Sequence, residues 1–286
     1  MEESEWLKFF EKCGRSCYVP EMECSWGLFP KWKEDKWDAL RIFMRGYAFE
    51  KGGTNNPDYP ALSISLLQKI GKDERNADNN LAADIWKEWK DLQPKNISRI
   101  SFNTEKLGRK SIIELVEEIW KDGEGRTLPL YLSNKIKDSE QIPKAHKELK
   151  EVVGIGDKVA SFYMRDITRT CEITIDVQEN RDLLQPQDIW VNRITSKLFS
   201  GEMGDTSQKH EIGKRIVKEC GTKINPELVN MGMWYFGAKI VRSKYELNKV
   251  LGYDYPEIKR YCTRKNWGVW QTEFYHLNDN SDFVKK

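Results

Sequence analysis

Apolar residues recur every three or four positions along most of this chain, and that spacing limits the fold more than any other feature. Within 37–49, Leu40, Phe43, Met44 and Tyr47 fall on one stripe, the pattern of a helix with a single buried face. The stripe stops at Gly52-Gly53, where glycine ends a helix readily. The same reading predicts helices at 60–70, 80–92, 110–121, 142–153, 157–169, 189–199, 207–220 and 226–247. Alternation with a period of two is confined to 171–177, which reads as a short strand or a loop. The chain is therefore expected to be all-α. No internal repeat and no low-complexity segment interrupts the pattern.

At 286 residues the chain is large for one domain and ordinary for an enzyme of two subdomains. Charged residues make up 32% of it, but 11 Trp, 11 Tyr and 11 Phe can fill a core, which excludes a mostly disordered chain. The longest apolar runs, such as Leu128 to Leu132, are too short to span a bilayer. The acidic start Met1-Glu2-Glu3-Ser4-Glu5 lacks the apolar stretch of a signal peptide. Six irregularly spaced cysteines suit a reducing compartment. Cys13, Cys17 and Cys24 crowd three thiols together, yet a zinc site needs a fourth ligand, for which Cys262 or His146 would have to approach. Ordinary thiols are the expected reading, with no metal and no cofactor.

The net charge of +2 hides an asymmetry. Residues 1–206 hold 32 Lys/Arg against 36 Asp/Glu, whereas 207–286 hold 15 against 9. The basic third can attract polyanions, or can be a solvated lysine-rich surface.

The segment with chemical character is Leu149-Lys150-Glu151-Val152-Val153-Gly154-Ile155-Gly156-Asp157-Lys158-Val159-Ala160. Glycines at 154 and 156 allow conformations and close approaches that a Cβ obstructs, and Ile155 between them can plug into the groove between two helices. Gly156 precedes a helix whose first N–H groups suit a phosphate oxygen. Such a turn grips a nucleic-acid backbone without reading sequence, so Val153, Gly154, Ile155, Gly156 and Lys158 are the candidate DNA contacts.

This string, followed by Gln185-Pro186-Gln187-Asp188-Ile189-Trp190-Val191-Asn192-Arg193, resembles the helix-hairpin-helix–GPD superfamily of DNA glycosylases, which includes endonuclease III and the 8-oxoguanine DNA glycosylases. The likeness covers about 50 residues, 149–198. It implies an all-α fold of two helical subdomains with the active-site cleft between them. The whole chain would be one such unit: 37–141 as a helical subdomain, 142–199 as the hairpin and catalytic segment, and 1–36 with 200–286 completing the second subdomain. The family's catalytic lysine falls on Lys158 and its catalytic aspartate on Asp188. A neutral Lys amine can displace a damaged base at the sugar's anomeric carbon and hold the sugar as a Schiff base, which permits elimination of the 3′ phosphate. A carboxylate at Asp188 can stabilise the cationic sugar. On residue type alone, Lys158 could equally be a phosphate contact and Asp188 a helix cap.

The sequence departs from the family pattern in three places, and one match narrows the branch. Lys158 and Asp188 stand 30 positions apart, so 168–184 must loop out between them, as in the archaeal 8-oxoguanine branch. Only Cys220 and Cys262 follow Asp188, which leaves no four-cysteine iron–sulfur motif. A lysine stands where the adenine glycosylases and several alkylbase enzymes lack one, which favours a combined glycosylase and lyase. The glutamine-rich wedge of the family is not evident near 49–53. Trp190, Trp234 and Phe236 are candidates to stack on an extruded base, with core packing as the alternative. The expected partner is double-stranded DNA carrying a damaged base, acted on by a monomer in the cytoplasm or a nucleus, without a membrane. A glycosylase for deaminated, mismatched or alkylated bases and a non-catalytic DNA-binding protein are the competing readings.

Overall fold

A computed structural model of the chain describes residues 1–48, 63–67, 81–91, 101, 103–200 and 209–264. Among these residues there are helices and no strands, so the fold is all-α; one isolated bridge joins Lys110 to Val152. Their order is α1 (Glu3–Cys13), α2 (Val19–Gly27), α3 (Lys36–Gly46), α4 (Leu81–Asp91), α5 (Ile112–Asp122), α6 (Leu128–Ile136), α7 (Ile142–Lys150), α8 (Asp157–Thr170), α9 (Ile189–Ser200), α10 (Lys209–Cys220), α11 (Pro226–Tyr235), α12 (Lys244–Val250) and α13 (Tyr255–Arg264). The expected helix at 60–70 is described only at 63–67, where it is helical. The expected stop at Gly52-Gly53, the wedge region 49–53 and positions 207–208 lie outside the described residues.

The chain divides into two compact units. One consists of Met1–Glu21 and Gln187–Lys286, and the other of Met22–Pro186. The subdomains expected from sequence are 37–141, 142–199 and 1–36 with 200–286; residues 142–186 fall in the same unit as 22–141.

In the first unit, α1 buries Trp6, Leu7, Phe9, Phe10 and Cys13. Nothing in the spacing before Trp37 predicted α1 or α2, because the aromatic and cysteine content there obscures the helical period. A π-turn over Gly14–Tyr18 joins them. The rings of Trp6, Phe9 and Phe10 pack on Phe236, with centroids 6.3, 5.5 and 5.6 Å away. Val191 and Ile194 of α9, Ile216 of α10, Val229 and Met233 of α11, and Leu247 of α12 complete this core. Burial of each such side chain contributes about 1.5–3 kcal/mol. Two glycines, Gly14 and Gly232, make the central crossing possible. A Cβ on Gly14 would stand 2.1 Å from the Leu228 carbonyl oxygen, so α11 lies directly on the backbone there.

The single helix expected at 226–247 is interrupted. After α11 the chain makes a π-turn over Phe236–Val241, then Arg242 takes a left-handed conformation with φ of 59°. Ser243 restarts the helix by accepting a hydrogen bond from the Glu246 N–H at 3.4 Å.

In the second unit, α8 is the central helix, with residues 159 through 168 all buried. Tyr163 lies among Trp26, Phe43 and Tyr47, and its burial holds the phenol well above its ordinary pKa. Arg165 and Asp166, both buried, form an ion pair at 2.9 Å, and Tyr47, just past the end of α3, donates to the same carboxylate at 2.8 Å. Buried charges require such pairing. Ser111 and Glu114 form a reciprocal cap at the start of α5. The 171–177 segment is a turn with Glu172 at φ 51°, followed by a loop. Cys171, Ile173 and Ile175 are half-buried and alternate with exposed Glu172, Thr174 and Asp176, but no strand pairs with it.

Candidate nucleic-acid interface and catalytic residues

The turn between α7 and α8 follows from its alternation of side chains. Helix α7 stops at Lys150 instead of continuing to 153, because the Val153 N–H donates to the Lys110 carbonyl at 2.9 Å. Gly154 is exposed with φ of +76°, a left-handed conformation that favours glycine. Ile155 is 2% exposed and anchors the turn, as its position between the glycines predicts. Gly156 is the N-cap of α8, with φ −109° and ψ −176°. That backbone suits any residue, so Gly156 is not needed for conformation. A Cβ added there meets nothing within 4 Å, and the outer face of the turn is open at this point.

The amides divide accordingly. Val153 and Ile155 donate inward, to Lys110 and Val152 at 2.9 and 3.3 Å. Their side chains are buried, so both residues shape the turn, and Gly154 and Gly156 form its surface. Asp157 opens α8 beside Lys150, its carboxylate 2.6 Å from the ammonium. Partial burial of Asp157 opposes ionisation, but the hydrogen-bonded Lys150 outweighs it, and the carboxyl titrates below its ordinary range. Lys158 is half-buried one residue further on.

The two helices are fastened behind the turn by His146 of α7 and Ser161 of α8, with Nε2 and Oγ 3.2 Å apart. Burial pushes the His146 pKa down and Lys150 adds to this, while Asp157 and Asp182 act the other way. The long connection after α8 is also tied down. Arg181, largely buried, donates to the Ile175 carbonyl at 3.1 Å, and Asn180 donates to the Ser139 carbonyl at 3.1 Å. Sequence reading singled out neither fastening; the only trace is an Arg and an Asn inside an otherwise loop-like stretch.

Asp188 belongs to the first unit and caps α9. Its carboxylate accepts the Trp190 N–H at 2.9 Å, and its carbonyl accepts the Asn192 N–H at 2.9 Å. The cap reading of Asp188 is thus realised. Trp190 is half-buried, with the Arg193 guanidinium 5.3 Å from its ring centre. Trp234 is half-buried edge-on to Tyr18 at 5.7 Å. Phe236 is 0% exposed inside the ring cluster of the core, so its place is packing rather than a surface for a base.

Cys13, Cys17 and Cys262 are buried in the first unit, and Cys24 is exposed in the second. The Cys262 thiol is pushed up to about 12 by burial, with Cys13 adding to the rise. Among the described residues no three His, Cys, Asp or Glu side chains are grouped to hold a metal, and no helix is long and apolar enough to cross a membrane.

The chain is similar to a protein of Methanocaldococcus jannaschii described as uncharacterized protein MJECL21, with 23% identity over 302 aligned positions, 83% of this chain and 67% of that protein. No family model matches. No solved structure matches.

Proposed function

We propose that the chain is a base-excision repair DNA glycosylase with lyase activity, removing an oxidised base, with 8-oxoguanine the favoured substrate. The observation that carries this reading is the turn ahead of α8. It presents a left-handed Gly154, an open Gly156 and an exposed helix start, then Lys158, while Ile155 locks the turn from inside. Those features match the use that the resembled family makes of the same residues. The outward amides would hold a DNA phosphate. The Lys158 amine, once neutral, would attack the anomeric carbon as the base leaves, giving a Schiff base and then 3′ elimination. The Asp188 carboxylate at the start of α9 would stabilise the positive charge that develops on the sugar. Such an enzyme works on chromosomal DNA, in a nucleoid or a nucleus.

Borohydride tests this directly, because it reduces an imine to a stable amine. The protein mixed with a panel of single-lesion duplexes and borohydride should yield a covalent protein–DNA adduct for its true substrate. Lys158→Gln should abolish both adduct and strand cleavage. An undiminished adduct in that variant assigns the chemistry to another amine. Base release without any adduct indicates a monofunctional enzyme. Duplex binding without base release indicates a non-catalytic DNA-binding protein.

A further inference from the structure

The start of α9 is seated on a residue without a side chain. A Cβ built on Gly237 would stand 2.6 Å from Trp190 Cβ, 2.8 Å from Cγ and 2.9 Å from Cδ2. Carbon atoms rest at about 3.5–4.0 Å, so the root of the indole lies directly on the Gly237 backbone. Gly237 belongs to the π-turn Phe236–Val241, and its neighbour Phe236 is locked into the ring cluster of the core. Single π-turns inside helices frequently mark functional positions.

Trp190 is also the residue whose N–H donates to the Asp188 carboxylate at 2.9 Å. One peptide therefore fixes both the indole and the cap. Arg193, with its guanidinium 5.3 Å from the ring centre, reinforces the placement one turn along α9. Contact runs without a gap from the core through Phe236 and Gly237 to Trp190, and from Trp190 to Asp188.

We propose that Gly237 and Trp190 are positioning residues that set the Asp188 carboxylate for base release. This rests on the glycosylase reading above and adds a role for Trp190 other than stacking on a base. A side chain at 237 would push the Trp190 root away and carry the cap with it. Misplacement of a reacting group by about 1 Å costs about 10²-fold in rate.

The test separates a step that needs Asp188 from one that needs only Lys158. Base release from a lesion duplex at saturating protein reports on Asp188 and Lys158 together. Borohydride trapping on a duplex with a preformed abasic site reports on Lys158 alone. Gly237→Ala should slow base release by about 10²-fold, with duplex affinity and abasic-site trapping unchanged. Trp190→Ala should do the same, and the double variant should lose little more than either single one, because both act through the same contact. If Gly237→Ala does not fold, Trp190→Phe and Trp190→Ala carry the test through a graded loss of base release. The proposal is overturned if base release is unchanged, if trapping falls in step with it, or if the two losses multiply. A parent protein inactive on every lesion and on abasic sites overturns the glycosylase reading itself, and this inference with it.

Discussion

A Cβ on Gly232 would lie 1.9 Å from the carbonyl oxygen of Phe10, so α11 and α1 meet backbone to backbone. No rotamer relieves such a contact, because the obstructing atom is main chain. Gly232→Ala should cost at least about 3 kcal/mol, the upper part of the overpacking range. Gly27, where a Cβ meets nothing within 4 Å, is the control. Gly27→Ala should leave stability within about 1 kcal/mol of the parent. Urea unfolding curves check both, and coincident midpoints for Gly232→Ala and the parent would disprove the crossing.

The glycines of the α7–α8 turn should separate stability from binding. Gly154→Ala places a side chain at φ +76° and should cost about 1–2 kcal/mol. Gly156→Ala fits the backbone and the open space, so stability should hold while affinity for undamaged duplex drops several-fold, whatever its sequence. Fluorescence anisotropy at fixed salt measures it. Full affinity in Gly156→Ala would remove the turn from the DNA interface.

Asp188→Asn and Asp188→Ala divide capping from charge. Asn caps nearly as well as Asp, so Asp188→Asn should unfold at close to the parent temperature, whereas Asp188→Ala should lose about 0.5–2 kcal/mol. Base release should fall by about 10²–10³-fold in both. Parent-like turnover in Asp188→Asn would leave the residue only its structural role.

His146 should make stability depend on pH. Its folded pKa is lowered by burial from the ordinary value of 6.5. As pH falls below 6.5, the unfolded chain takes up the proton first, so the folded state loses ground through the lowered pKa and is fully favoured only above 6.5. Asp157 titrates below its ordinary value of 3.8 and contributes a separate loss in strongly acidic solution. Urea midpoints measured from about pH 7.5 to 4.5 should slope less in His146→Asn than in the parent. Equal slopes would show that His146 is not buried as a neutral ring.

Much of the helical plan could be read from the residues, and the failures have identifiable causes. The stripes at 110–121 and 157–169 became α5 and α8 within two residues at each end, because each has one apolar face and a clear boundary, and the described part of 80–92 is helical. At 226–247 the apolar spacing runs on without a break, yet the backbone turns at Arg242. The Ser243 and Glu246 pair is the local signal for that restart, and periodicity does not register caps. At the candidate site, Ile155 inside and the glycines outside follow from alternation alone. The inward amides of Val153 and Ile155 do not, since their acceptors include Lys110, which is more than 40 positions away. The seating of Trp190 on Gly237 is likewise long-range, and a lone glycine in an aromatic string gives no hint of it.

The Cys13 thiol donates to the Gly232 carbonyl across 219 positions of chain, and everything from Met22 to Pro186 is made in between. Ribosomes add about 5–20 residues per second, so roughly 10–45 s pass between the appearance of α1 and that of α11. Throughout that interval Trp6, Phe9 and Phe10 wait without the surface that will cover them. The inner stretch can finish folding meanwhile, so gene order imposes a sequence of assembly on the nascent protein. An exposed aromatic face on a growing chain is what holdase chaperones recognise, and cells short of them should accumulate this protein in aggregates nucleated by α1.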